Sequence, residues 1–263
     1  MDDRDAPGFR AILALARHEL RLLLADGRSL ILLFTLPLAI IAFFRPALEL
    51  TLFAEGYVHA DGSAQAVPGI AVTFSLFLIG YVGLSFFRDH GWGTWDRLHV
   101  VPLHRWQVLA GKVTPLLLLA WAQLAVLFGL GFAVFNLSTR GSLPALAVLS
   151  VALAAVPVAG GLALVASART VQQVNVVANL GAIVVAGLGG ALVPLSFLPD
   201  MVRAVAPASP AYWAMSGFRA VILDGEGLGA VVLPVAVLTL WSAVLSLVAV
   251  TRYRFEEQKV SWA

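Results

Sequence analysis

The sequence predicts an all-α integral membrane protein with six transmembrane helices. Two observations predict it. The 263 residues are 60% hydrophobic and 12% charged, whereas a soluble domain carries about 25% charged residues. A globule with half that charge lacks the polar surface to cover itself. The charges are also segregated, so that long uncharged runs alternate with short charged segments. A run of about 20 apolar residues crosses the hydrocarbon core as a helix.

Residues 1–28 form a polar lead and an interfacial helix. Residues 1–8 are polar. From Phe9 to Ala25, Phe9, Ile12, Leu13, Ala16, Leu20, Leu23 and Leu24 recur at spacings of three and four. Arg10, Arg17, Arg21 and Arg28 superpose at about 100° per residue. An arginine stripe beside an apolar face suits a helix lying in the headgroup layer of a membrane; the alternative is a cytosolic helix packed on another protein. The apolar run that follows is too long for a cleavable signal.

The transmembrane domain is expected over residues 29–250, with spans at about 29–53, 69–87, 113–135, 143–166, 174–193 and 230–250. Pro37 is a kink site in the first span, and Arg45 and Glu49, four apart, are placed to pair near its end. Pro157, Gly160 and Gly161 are expected to interrupt the fourth span. Asn175 and Asn179 share a face of the fifth span and are expected to bond a neighbouring helix rather than line a substrate path. Phe74, Phe77, Phe128 and Phe132 line a path, face lipid or fill the core. Residues 251–263 form a polar tail.

Lysine and arginine placement sets the orientation. With both termini in the cytoplasm, the inner side holds Arg4, Arg10, Arg17, Arg21, Arg28, Arg88, Arg97, Arg105, Lys112, Arg169, Arg252, Arg254 and Lys259, 13 of the 17 basic residues. The outer side keeps Arg45, Arg140, Arg203 and Arg219. The loop at 88–112 is then cytoplasmic and the segment at 194–229 external.

Catalytic chemistry finds little to work with. There are no cysteines, and all five histidines (His18, His59, His90, His99 and His104) lie in loops or in the surface helix. No zinc-binding His-Glu-x-x-His helix occurs, and no metal site is expected. Gly111-Lys112 is followed by Val113 and preceded, five positions before Gly111, by Trp106, so it is no Walker A loop. A net charge of +2 does not suggest a nucleic-acid partner. The spans carry no mid-membrane ionisable group of the kind that ion-coupled carriers use. A transporter of this composition draws its energy from elsewhere.

Two segments carry more specific information. Between the second and third spans, Thr94 is a helix N-cap candidate and Asp96 suits the positive end of a short helix from about Thr94 to Val100. Leu98, Val101 and the tryptophans offer apolar knobs to a soluble partner or to the headgroup belt. After the fifth span, Gly189 to Pro199 and on to Arg219 is too apolar for an open loop and too broken by proline for a span. It reads as an external re-entrant helical hairpin, or as a hydrophobic lid.

Together these segments resemble the ABC-2 type family of ABC transporter permeases, most closely its bacterial drug, lipid and polysaccharide exporters. Gly93, Thr94, Asp96, Leu98, Pro102, Gly111 and Lys112 match the family's loop between spans two and three. Gly189, Gly190, Pro194, Leu198, Pro199, Pro207, Pro210 and Arg219 match its segment after span five. The acidic cluster usual before the Gly-Thr is here Arg88-Asp89-His90, with one carboxylate. The resemblance implies a permease subunit in the cell's inner (cytoplasmic) membrane, not an enzyme by itself. It would move a hydrophobic or amphipathic substrate outward on ATP hydrolysed by a separate subunit, which would bind the ATP and Mg; no cofactor is expected in this chain. Gly93, Thr94, Asp96, Arg97, Leu98 and Pro102 would form a coupling helix seated on that ABC-type ATP-binding subunit. A second permease copy, identical or paralogous, would pair through the first and fifth spans. The rival readings are a membrane scaffold or sensor subunit and a secondary carrier.

Overall fold

The computed structural model describes residues 6–91 and 104–252. Every element among them is a helix: α1 (Ala6–Ala25), α2 (Gly27–Ala54), α3 (Ser63–Gly91), α4 (Arg105–Val134), α5 (Leu143–Ser167), α6 (Val171–Leu188), α7 (Asp200–Val205), α8 (Pro210–Ile222) and α9 (Leu228–Arg252). Six of them, α2 to α6 and α9, are long and apolar enough to cross a membrane. This is a multi-pass membrane protein. Six crossings return the chain to the face where it began, called here the base; the opposite end is the far face.

The bundle is built around two helices. Of the apolar stretch of each helix, 78% is buried in α3 and 72% in α5, against 11% in α2 and 17% in α9. α3 packs against α2, α4, α5, α6 and α8, and α5 packs most extensively against α9 and α3. Apolar side chains gain little by leaving lipid for protein, so small residues that allow close approach decide which helices meet. A Cβ on Gly161 of α5 would stand 2.5 Å from the Val82 Cβ of α3.

Helix ends differ from the expected spans for local reasons. α3 starts at Ser63, not near 69, because Asp61 Oδ1 accepts from the Ser63 N–H at 2.8 Å and starts the turn. α4 begins at Arg105 and carries Lys112 inside it; the Gln107 side chain accepts from the His104 N–H at 2.9 Å. α1 already includes residues 6–8. The expected break in the fourth span does not occur, since α5 runs unbroken through Pro157, Gly160 and Gly161. Proline is tolerated where neighbouring helices bury the backbone, and all three residues are buried. Asn179 Nδ2 donates to the Asn175 carbonyl of its own helix at 2.8 Å, not to a neighbouring helix. Phe74 and Phe128 lie in the core, with Phe77 and Phe132 packed against it.

Replacing Gly161 with leucine drives a side chain into Val82 and should separate α3 from α5. Overpacking of this kind costs about 1–3 kcal/mol, and a lowered unfolding midpoint of the purified protein would register it. Gly27, which has nothing within 4 Å of an added Cβ, is the control and should tolerate alanine.

Candidate functional site: polar ties at the two ends of the bundle

At the base, α1 lies along the start of α4. The two helices touch where a Cβ on Gly111 would stand 2.8 Å from Leu15 Cδ2, so any larger residue would force Leu15 aside. Beside this contact Glu19 is 6% and Lys112 2% exposed. Lys112 Nζ donates to Glu19 Oε1 at 2.6 Å and stands 5.2 Å from the Phe86 ring centroid of α3, within cation–π range. Glu19 Oε2 lies 3.7 Å from an Arg88 guanidinium nitrogen, also on α3. One carboxylate thus ties α1 to the helices on both sides of residues 92–103.

α1 has three faces. Arg10, Arg17 and Arg21 are exposed along one; the side chain of Arg28 lies outside the described residues. Nine residues on from Arg10, half a turn away at about 100° each, Glu19 heads the face that packs on the protein with Leu23, which is 3% exposed. Phe9, Leu13, Leu20 and Leu24 form an exposed apolar strip between the two.

At the far face, Arg219 of α8 is the hub. One guanidinium nitrogen donates to Glu55 Oε2 at 2.7 Å and another to Gln65 Oε1 at 2.7 Å. Its guanidinium carbon lies 5.7 Å from the Tyr57 ring centroid. Gln65 Nε2 donates to the Gly190 carbonyl at 3.1 Å, and Ser196 Oγ donates to Glu55. The Tyr57 hydroxyl donates to Asp224 at 2.8 Å. Burial first, then that bond to Asp224, raise the Tyr57 phenol above its ordinary value. These contacts hold residues 189–222 against the ends of α2 and α3. Arg45 closes on Asp61, with Nε 2.8 Å from Oδ1, and not on Glu49 as the four-residue spacing had suggested. Gly62 packs on the Arg45 backbone, where a Cβ would stand 1.9 Å from the carbonyl oxygen, and this brings Asp61 to that side of α2.

The sequence-predicted residues of this segment fall where the chain turns. Gly189 ends α6, and Gly190 takes φ 77°, a left-handed conformation that suits glycine. Pro194 and Pro199 precede a 3₁₀ turn and α7. Leu198 closes that 3₁₀ turn. Pro207 accepts from Trp213 Nε1 at 2.9 Å, and Pro210 opens α8. The predicted loop residues Gly93, Thr94, Asp96, Arg97, Leu98 and Pro102 lie outside the described residues. Between α3, α5, α6 and α9 runs an apolar cavity of about 500 Å³, lined by Leu76, Ile79, Gly160, Gly181 and Trp241 among others.

Sequence reasoning missed the Glu19 hub and the partners of Arg219. Glu19 carried a signal, since a carboxylate diametrically opposite an arginine stripe faces whatever the helix packs on. Arg219 stood out only as a match to the family's segment after span five; its partners, 154 and 164 residues away, left no local signal.

Residues 11–223 match the ABC-2 type transporter family. The chain belongs to that family. A linearmycin resistance permease protein of Bacillus subtilis (strain 168) is 27% identical over 169 residues, 64% of this chain and 43% of that protein. The match thus spans less than half of the relative's length. The family describes a transmembrane component of a transporter, not a catalytic ATPase.

Breaking a buried ion pair on one side costs about 3–5 kcal/mol, while replacing both partners with apolar residues is close to neutral. Lys112→Met should therefore lower the unfolding midpoint of the purified protein. Glu19→Leu combined with Lys112→Met should recover part of the loss. An unchanged midpoint in Lys112→Met would show that the pair holds nothing.

Burial pushes the Asp61 carboxyl up, but the bonds from Arg45 and from Ser63 outweigh it, and its pKa lies below the ordinary value. The contribution of Asp61 to stability is therefore full above about pH 4 and is lost as the pH falls through the depressed value. Asp61→Asn should flatten this part of an acid-unfolding curve, and an unaltered curve would contradict the assignment.

Proposed function

We propose that the chain is the membrane-spanning permease subunit of an ABC exporter in the cytoplasmic membrane, with both termini in the cytoplasm. It moves a hydrophobic or amphipathic substrate outward on ATP that a separate, Mg-dependent subunit hydrolyses. The observation that carries this reading is the node at the base. Glu19, Lys112 and Arg88 tie a surface helix to the two helices that enter and leave residues 92–103. Force applied to that loop would reach α1, α3 and α4 together. Gly93, Thr94, Asp96, Arg97, Leu98 and Pro102 then serve as the coupling helix in a groove of the ATP-binding subunit. Closure of the ATPases around ATP favours one state of the permease through its differential affinity.

The exposed strip of Phe9, Leu13, Leu20 and Leu24 beside the arginines supports an α1 seated in the cytoplasmic headgroup layer. The proline-broken segment at 189–222 is the external re-entrant hairpin, latched by Arg219. α2 and α6, at 11% and 22% buried, keep free faces for a second permease copy, identical or paralogous. Gly181 and Gly187, which have open space around an added Cβ, would let that copy approach closely. The apolar cavity and the absence of mid-span charge among the described residues favour greasy cargo. The relative named for linearmycin resistance is in keeping with a resistance role.

The test is Asp96→Ala combined with Leu98→Ala, in proteoliposomes that contain the cognate ATPase. The variant should insert normally and lose ATP-driven efflux. Unchanged efflux would remove the coupling assignment. Binding of the ATPase without any vectorial movement in the unmodified protein would favour a scaffold, and movement without an ATPase would favour a carrier.

A further inference from the structure

Two polar side chains in the middle of the bundle have no part in the reading above. Gln123 of α4 and Ser75 of α3 are both 0% exposed. Among the described residues, Gln123 Oε1 and Nε2 and Ser75 Oγ have no hydrogen-bond partner. An amide brings two donors and an acceptor and a hydroxyl one donor and two lone pairs, and leaving such groups unpaired away from water is costly.

The register of α3 and α4 brings the two residues to one depth. α3 and α4 are antiparallel neighbours, and two contacts fix their register. Lys112 Nζ lies 5.2 Å from the Phe86 ring centroid, and a Cβ on Gly131 would stand 2.9 Å from Val67. Gln123 is eleven residues on from Lys112, and Ser75 is eleven residues back from Phe86. Eleven residues are close to three turns, about 16 Å of rise, so both side chains return to the facing sides at one depth. Eight residues further along each helix lies the Gly131–Val67 contact, so the helices stay together on both sides of the pair. No hydrogen bond joins the two side chains directly.

We propose that Ser75 and Gln123 hold one buried water molecule that pins α3 to α4 at mid-bundle. The water accepts from Gln123 Nε2 and donates to Ser75 Oγ. Buried waters make about three bonds to otherwise unpaired polar groups, and the amide oxygen supplies a third. A single polar contact in an apolar interface specifies register, because sliding by one residue strands it. α3 and α4 flank residues 92–103, so the pin makes them move as one body. That consequence rests on the proposed function; the pin itself does not.

The experiment is a double-mutant cycle on the full chain in nanodiscs, read as the unfolding midpoint. Ser75→Ala and Gln123→Leu should each lower it by roughly 2–4 °C. The double variant should lose no more than the worse single one, since removing both partners leaves nothing stranded. Losses that add, or a Gln123→Leu midpoint at or above that of the unmodified protein, would overturn the pin. Radiolytic footprinting of the unmodified protein, moved briefly into oxygen-18 water, serves if a variant fails to fold. A resident water that exchanges slowly should leave oxygen-16 on Leu76 or Leu124. Peptides covering both residues without any added oxygen would refute it. Neither readout involves transport, so a failure of the exporter reading leaves this test intact.

Discussion

A carboxylate buried beneath a surface helix holds the base of this molecule together. Glu19 is out of water, and an isolated ion there would be prohibitively costly. It is tolerable only while Lys112 stays within 2.6 Å and Arg88 stays close by. The three charged groups come from three helices, so the folded state requires those helices to arrive together. Gly111 makes this possible by letting α1 lie against α4 with no Cβ between them. Local backbone chemistry and a buried charge thus act at adjacent residues, and neither would suffice alone.

The far face follows the same logic with different parts. Arg219 joins a carboxylate, an amide and an aromatic ring from the end of α2, the loop after it and the start of α3. Between the two faces the bundle relies mainly on shape, with Ser75 and Gln123 the buried polar exception between α3 and α4. α3 and α5 meet through small residues, and the outer helices α2, α6 and α9 turn most of their apolar surface away from the single chain. Charge gathered at both ends and close packing of helices between them keep ionised groups out of the apolar span.

Much of the fold was legible in the sequence. Six apolar runs became six long helices, since a chain in hydrocarbon must satisfy its backbone within each segment. Helix ends were less legible. α3 begins early because Asp61 caps it, and α4 includes Lys112 because a partner 93 residues away receives the charge. Pro157 looked like a break and was none, because burial by neighbours compensates what proline removes. Of the candidate residues, those between 189 and 210 fell at turns and caps, as their glycines and prolines imply. The arginines of α1 faced outward as their periodicity requires. Its apolar residues, by contrast, divided between two faces, one against protein and one exposed.

The sequence by itself determined what depends on neighbours along the chain: where helices form, where glycine and proline turn it, and which face of α1 carries charge. Only the tertiary structure decided which charges meet. Arg45 could reach Glu49 by helical spacing, yet it pairs with Asp61, and Arg219 finds partners more than 150 residues away. Helical periodicity reports direction around an axis, while an ion pair depends on the distance between axes. That distance is set by how closely small residues let the helices approach.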